Sequence, residues 1–176
     1  MGIQLKSNHF TINAPPIFAV MKILMVCLGN ICRSPLAEGI LQAKADDAAL
    51  HWKVDSAGTA NYHVGEPPHA SSQKVALQNG INISKQQCRQ FKKTDFLEFD
   101  KIYVMDRSNY ADVKKIAGAL WDEQKVDYLL NELHPNRNEE VPDPWYGGYE
   151  DFKSVYALID KTCDCIIKKY GAIHNG

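Results

Sequence analysis

Short apolar runs alternate with amphipathic stretches along most of this chain, and that alternation limits its architecture more than any other feature. The run Lys22–Cys27 (KILMVC) is almost continuously apolar, as a strand covered on both faces must be. Residues 34–49 then read as a helix. Ser34 can cap it, Pro35 suits its first turn, and Glu38 complements the positive end of the dipole. Leu36, Ile40, Leu41 and Ala48 lie broadly along its inner face. Residues 51–55 make a second candidate strand, 57–68 a loop, and Ala70–Gln78 a helix closed by Asn79-Gly80. A third strand at 101–105, a helix at 108–117 and a short fourth strand at 126–130 follow. Phe152, Val155, Tyr156, Ile159, Cys163, Ile166, Ile167 and Tyr170 recur at helical spacing and mark a long amphipathic helix at the end. Strands separated by helices imply a parallel sheet with helices on both faces.

Composition adds mainly exclusions. With 176 residues, 45% hydrophobic and 23% charged, the chain suits one globular domain. That domain is expected over 21–176, with residues 1–20 an extension outside the core whose polar part, to about residue 16, ends in Pro15-Pro16. A formal net charge of -1 gives no field that would draw the chain to nucleic acid or a membrane surface, so neither is expected as a partner. The apolar stretch 17–28 is too short to span a bilayer and lacks a small-residue cleavage pattern. Cleavage there would also remove the first strand, so export is not expected. The five cysteines are an odd number without zinc-site spacing or paired histidine ligands. No metal site is therefore expected, and free thiols fit a reducing cytoplasm.

Cys27 stands at the carboxyl end of the first strand, where open parallel sheets place their ligands. The segment Cys27-Leu28-Gly29-Asn30-Ile31-Cys32-Arg33-Ser34 joins that strand to a helix start. Gly29 and Asn30 tolerate left-handed backbone angles, so a tight loop here can turn its N–H groups inward as an anion nest. The helix adds its own unsatisfied N–H groups, and Arg33 adds a planar fork for two phosphate oxygens. Such a loop suits a tetrahedral dianion. The same surroundings favour the thiolate of Cys27, to which the Ser34 hydroxyl can donate. A thiolate below a bound phosphorus atom is placed for in-line attack.

The run Val26-Cys27-Leu28-Gly29-Asn30-Ile31-Cys32-Arg33-Ser34-Pro35 closely resembles the phosphate-binding P-loop of the low-molecular-weight protein tyrosine phosphatases. The resemblance continues in Asp55-Ser56-Ala57-Gly58-Thr59, Gly65-Glu66-Pro67-Pro68, Phe99-Asp100-Lys101-Ile102-Tyr103-Val104-Met105-Asp106, Asp143-Pro144-Trp145-Tyr146 and Asp151-Phe152. It covers roughly residues 21 to 170 in unbroken order. The fold expected is α/β, an open four-stranded parallel sheet with helices on both faces, flavodoxin-like, in strand order 2-1-3-4.

The resemblance implies a set of roles. Cys27 forms a phosphocysteine intermediate, and Arg33 binds phosphate and stabilises the transition state. Asn30 and Ser34 hold the loop and the thiolate; Leu28, Gly29, Ile31 and Cys32 complete the loop around the phosphate. Asp143 is the general acid and then the base, in a loop stiffened by Pro142 and Pro144. Tyr62, Trp145 and Tyr146, with Leu28 and Ile31, sit near the substrate ring and favour flat phenolic esters. Ile31 leans toward tyrosine, since relatives acting on phosphoarginine tend to carry a smaller polar residue there. The substrate class implied is a phosphotyrosine protein or a small aryl phosphate, with no cofactor. One stretch departs from the family: Gln86 stands where a histidine often braces the loop, and it can keep one hydrogen bond of that brace.

Several readings stay open. Cys32 is either a redox partner for Cys27 or loop packing. The fold and loop also belong to thioredoxin-coupled arsenate reductases, whose thiol relay expects two further cysteines where only Cys88 stands here. A phosphate-binding module without turnover is a third reading, although such modules usually lack the nucleophile or the acid. Oligomeric state and physiological substrate are not legible in the chain.

Overall fold

The first strand, β1 (Lys22–Cys27), runs through the interior because its side chains are apolar in both directions. Ile23 and Met25 join one core cluster, Leu24 and Val26 the other, and all four are fully buried. The computed structural model describes residues 20–172, so the expected N-terminal extension lies, apart from Val20, outside the described residues.

Following β1 are α1 (Arg33–Asp47), β2 (Lys53–Gly58), α2 (Ala70–Gln78), the four-residue α3 (Asp95–Glu98), β3 (Lys101–Val104), α4 (Arg107–Ala117), β4 (Val126–Tyr128) and α5 (Tyr149–Gly171). All pairings are parallel and the strand order is β2-β1-β3-β4, the open sheet expected. Ile40 and Leu41 of α1, Val75 of α2, and Ile159, Cys163 and Ile166 of α5 share the core of Ile23 and Met25. Phe96 of α3 and Val113 of α4 share the core of Leu24 and Val26. Fully burying one such aliphatic side chain is worth roughly 1.5–3 kcal/mol, so the two clusters clamp β1 from both sides.

The sequence reading needs correction at the element ends. β2 begins at Lys53 rather than 51 and runs to Gly58, because β1 sets its length: the register pairs Lys22 with Lys53 and Cys27 with Gly58. β4 stops at Tyr128, and the chain passes into a 3-10 turn over Leu129–Glu132. Ser34 does not cap α1; Cys32 occupies the cap position and makes no side-chain cap bond, while Ser34 lies inside the helix. Ala48 is exposed, and Ala45 takes the inner position instead. The helix ends at Asp47, and Ala49 then adopts φ 53°, turning the chain so that Leu50 is buried. α3 has no counterpart in the expected elements.

Gly58 ties the sheet to the loop that follows β1. A Cβ there would lie 2.7 Å from the Leu28 carbonyl oxygen and 3.1 Å from the Gly29 carbonyl carbon, both backbone atoms. Gly58→Ala must therefore move one backbone segment against another, at a cost of about 1–3 kcal/mol. Urea unfolding of the variant should show that loss.

Candidate active site

Cys27 ends β1 and is buried beneath the loop over residues 28–32. The loop carbonyls are tied outward. Those of Cys27 and Leu28 accept from the N–H groups of Thr59 and Ala60, and that of Ile31 from His69. The Gly29 carbonyl accepts from the Cys88 thiol at 3.1 Å and that of Cys32 from the Ser72 hydroxyl at 3.3 Å. In a trans peptide the following N–H points the opposite way, so these bonds turn the loop amides toward its concave side. One of them, the N–H of Asn30, donates to the Cys27 sulfur at 3.3 Å.

Asn30 holds this shape with a left-handed φ of 55° and a buried carboxamide. Its Oδ1 accepts the Arg89 N–H at 2.9 Å, which settles which end of the amide is which. Its Nδ2 donates to the Ser34 hydroxyl at 2.9 Å and the Ser56 hydroxyl at 2.8 Å. Ser34 is thereby left free to donate its proton to the Cys27 sulfur, 3.0 Å away, and Ser56 gives its own to Glu38 at 2.5 Å. Asn30 and Ser34 thus stand behind the loop rather than in the pocket.

Arg33 opens α1 and is almost fully buried. Its Nη1 donates to Asp106 at 2.7 Å and to the Val141 carbonyl at 3.2 Å, and its Nη2 donates to Asp143 at 3.1 Å. Asp106 also caps α4 by accepting the Asn109 N–H at 2.8 Å. Asp143 is extended, as the following proline favours, and its other oxygen accepts the Trp145 N–H at 3.1 Å.

A pocket of about 250 Å³ lies between these groups. Of the residues named from sequence, Cys27, Leu28, Gly29, Ile31, Cys32, Arg33, Tyr62, Asp143, Trp145 and Tyr146 line it, and His63 joins them. Tyr62, Trp145 and Tyr146 form an exposed aromatic rim. The arrangement offers a sulfur at the floor, inward amides and a guanidinium around it, and a carboxylate at the wall. It can hold a tetrahedral dianion and exchange a proton with an ester oxygen.

Residues 22–172 match the family described as low molecular weight phosphotyrosine protein phosphatase. The chain belongs to this family. The phosphatase of Gallus gallus in the family is 36% identical over 152 residues, covering 85% of this chain and 96% of that one. slr0328 of Synechocystis sp. is 40% identical over 153 residues, or 86% of this chain and 97% of its own. Among solved structures, YfkJ from Bacillus subtilis superposes with a TM-score of 0.79 at 33% identity, covering 88% of this chain and 96% of that one. Vibrio vulnificus Wzb in complex with benzylphosphonate gives 0.76 at 30% identity, over 85% and 99%.

Charge is arranged unevenly around this phosphatase loop. Burial alone would lower the Arg33 pKa, but the charges of Cys27, Asp143 and Asp106 outweigh it and raise it. Burial, then the charges of Cys27 and Asp143, push the Cys32 thiol up to about 12. Cys88 rises to about 11, again chiefly through burial. Gln86 donates to the Pro35 carbonyl at 3.2 Å, at the start of α1.

The sequence misassigns one residue beside the site and leaves another unread. Glu38 is not a dipole partner on the surface; it is half-buried under Ser56, and burial first, then the Asp55 charge, raise it to about 7. His69 caps α2 through Nδ1, stacks on Phe152 at 5.1 Å and meets Trp145 edge-on at 5.4 Å. Its place just before a helix was a usable signal, although histidine is not among the strong capping types.

The raised Glu38 carboxyl has a consequence for stability. The folded protein keeps a proton there that the unfolded chain releases near 4.5, so this contribution is full below about pH 4.5 and is lost as pH rises through about 7. Glu38→Gln should remove that dependence: denaturant midpoints of wild type should fall relative to the variant between pH 5 and 8. An equal slope in both would exclude Glu38 as its source.

Proposed function

We propose that the protein hydrolyses phosphotyrosine and related aryl phosphates through a phosphocysteine intermediate, with Cys27 as nucleophile, Arg33 as the phosphate clamp and Asp143 as general acid and base. The observation that carries this reading is that Cys27, Arg33 and Asp143 line one pocket, with the Arg33 guanidinium bonded to the Asp143 carboxylate. In the first step the Cys27 thiolate forms a bond to phosphorus as the bond to the phenolic oxygen breaks, and that oxygen takes the proton of Asp143. In the second, water gives a proton to the Asp143 carboxylate and attacks phosphorus, which releases inorganic phosphate and the sulfur. Negative charge on the transferring phosphoryl oxygens is met by Arg33 and the loop amides.

The rim favours flat esters. Tyr62, Trp145 and Tyr146 offer ring faces, and Leu28 and Ile31 an apolar wall. Leu28, Gly29, Asn30, Ile31, Cys32 and Ser34 act on the phosphate side, by position or through their amides. We take residues 21–176 as the catalytic unit. Its place of work is the cytoplasm, where cysteines that are all free among the described residues stay reduced. A thiol relay to arsenate is disfavoured, since the Cys32 and Cys88 thiols are both buried and held protonated. A binding module would need no acid beside the nucleophile.

Cys27→Ser should abolish hydrolysis of p-nitrophenyl phosphate and the trapping of labelled phosphocysteine, while inorganic phosphate still binds. Retained turnover would mean another nucleophile. Asp143→Ala should slow phosphotyrosine hydrolysis by about 10²–10⁴-fold, and less for esters whose phenol leaves easily. Equal slowing across leaving groups would remove Asp143 as the acid.

A further inference from the structure

Beyond Leu28 and Tyr62 the pocket rim falls into a second groove of about 570 Å³. The two share Leu28 and Tyr62, so a chain leaving the pocket on this side passes directly into the groove. Its floor is the backbone after β2, with Asn61, and its far wall is α4, which presents Asp112, Lys115 and Ile116. The two charges are not equivalent. Asp112 is half-buried and accepts the Thr59 hydroxyl at 3.1 Å. Lys115 is exposed and makes no ion pair among the described residues, whereas its neighbour Lys114 faces Glu123 at 3.8 Å and the Trp121 ring.

Resting on the phosphatase reading, we propose that this groove receives the polypeptide flanking the phosphotyrosine of a protein substrate, and that Lys115 selects an acidic side chain there. The helix sets the register. Lys115 lies nine residues along α4 from its cap Asp106, which bonds Arg33 at 2.7 Å. At a rise of about 1.5 Å per residue that is roughly 13 Å, the span of about four extended residues. The acidic residue thus falls three or four positions from the phosphotyrosine, and the apolar edge of Leu28, Tyr62 and Ile116 covers the residues between.

The test uses the full chain and two phosphotyrosine peptides, one with Glu and one with Lys at the third and fourth positions on both sides. p-Nitrophenyl phosphate, which has no flank, is the control. Wild type should favour the Glu peptide in KM by about threefold, the size of one exposed ion pair. Lys115→Glu should reverse that order and leave the control rate unchanged. An unchanged ratio in Lys115→Glu, or a wild-type preference for the Lys peptide, would overturn the assignment while the phosphatase reading stands. Failure of wild type on p-nitrophenyl phosphate would instead remove the reading beneath it.

Discussion

The carboxamide of Asn30 is the contact on which the site depends. It is buried, its backbone sits in the left-handed region, and each of its polar atoms has a partner. Because the Arg89 N–H fixes its orientation, its Nδ2 donates to both hydroxyls, which leaves Ser34 free to donate to the Cys27 sulfur and Ser56 to donate to Glu38. A buried polar network stabilises one geometry only when all its members are satisfied. Arg89 is itself held by Asp55 on β2 and Asp95 on α3, so the small helix missing from the expected elements anchors the loop from behind.

Arg33 poses the opposite problem, a full charge with almost no water. A buried cation is tolerable only when paired and bonded, and here two carboxylates and a carbonyl meet its guanidinium. Asp106 serves twice, closing α4 and fixing Arg33, so the start of α4 and the floor of the pocket cannot shift independently. A guanidinium stays charged at any ordinary pH, and the charges of Cys27, Asp143 and Asp106 reinforce this against the burial that opposes it.

What could be read from the chain followed the physics of each element. β1, α2 and α5 announced themselves because their burial is written in local periodicity or in an Asn-Gly stop. The extent of β2 was illegible because Ser56 and Gly58 carry no apolar signal, and their extended form comes from the strand beside them. Ser34 looked like a cap because serine favours that position, yet the sulfur and the Asn30 amide claim its hydroxyl. Glu38 and His69 were misread or passed over because their surroundings are tertiary: Ser56 is eighteen residues from one, and Trp145 and Phe152 lie far along the chain from the other.

The position of Asp143 is likewise tertiary, since no strand or long helix carries it. Val141 donates to the Met105 carbonyl beyond β3 and accepts from Arg33, which fixes the chain two residues before the carboxylate. Trp145, two residues after it, lies between the rings of His63 and His69. His69 in turn donates its backbone N–H to the Ile31 carbonyl in the loop after β1. The loop that carries Asp143 and the loop that follows Cys27 are therefore joined twice, by the Arg33–Asp143 pair and by the Trp145–His69–Ile31 chain. Two attachments through different residues resist rotation as well as separation. The proposed reaction asks that much of a carboxyl group that must meet one ester oxygen while the sulfur approaches the phosphorus from the far side.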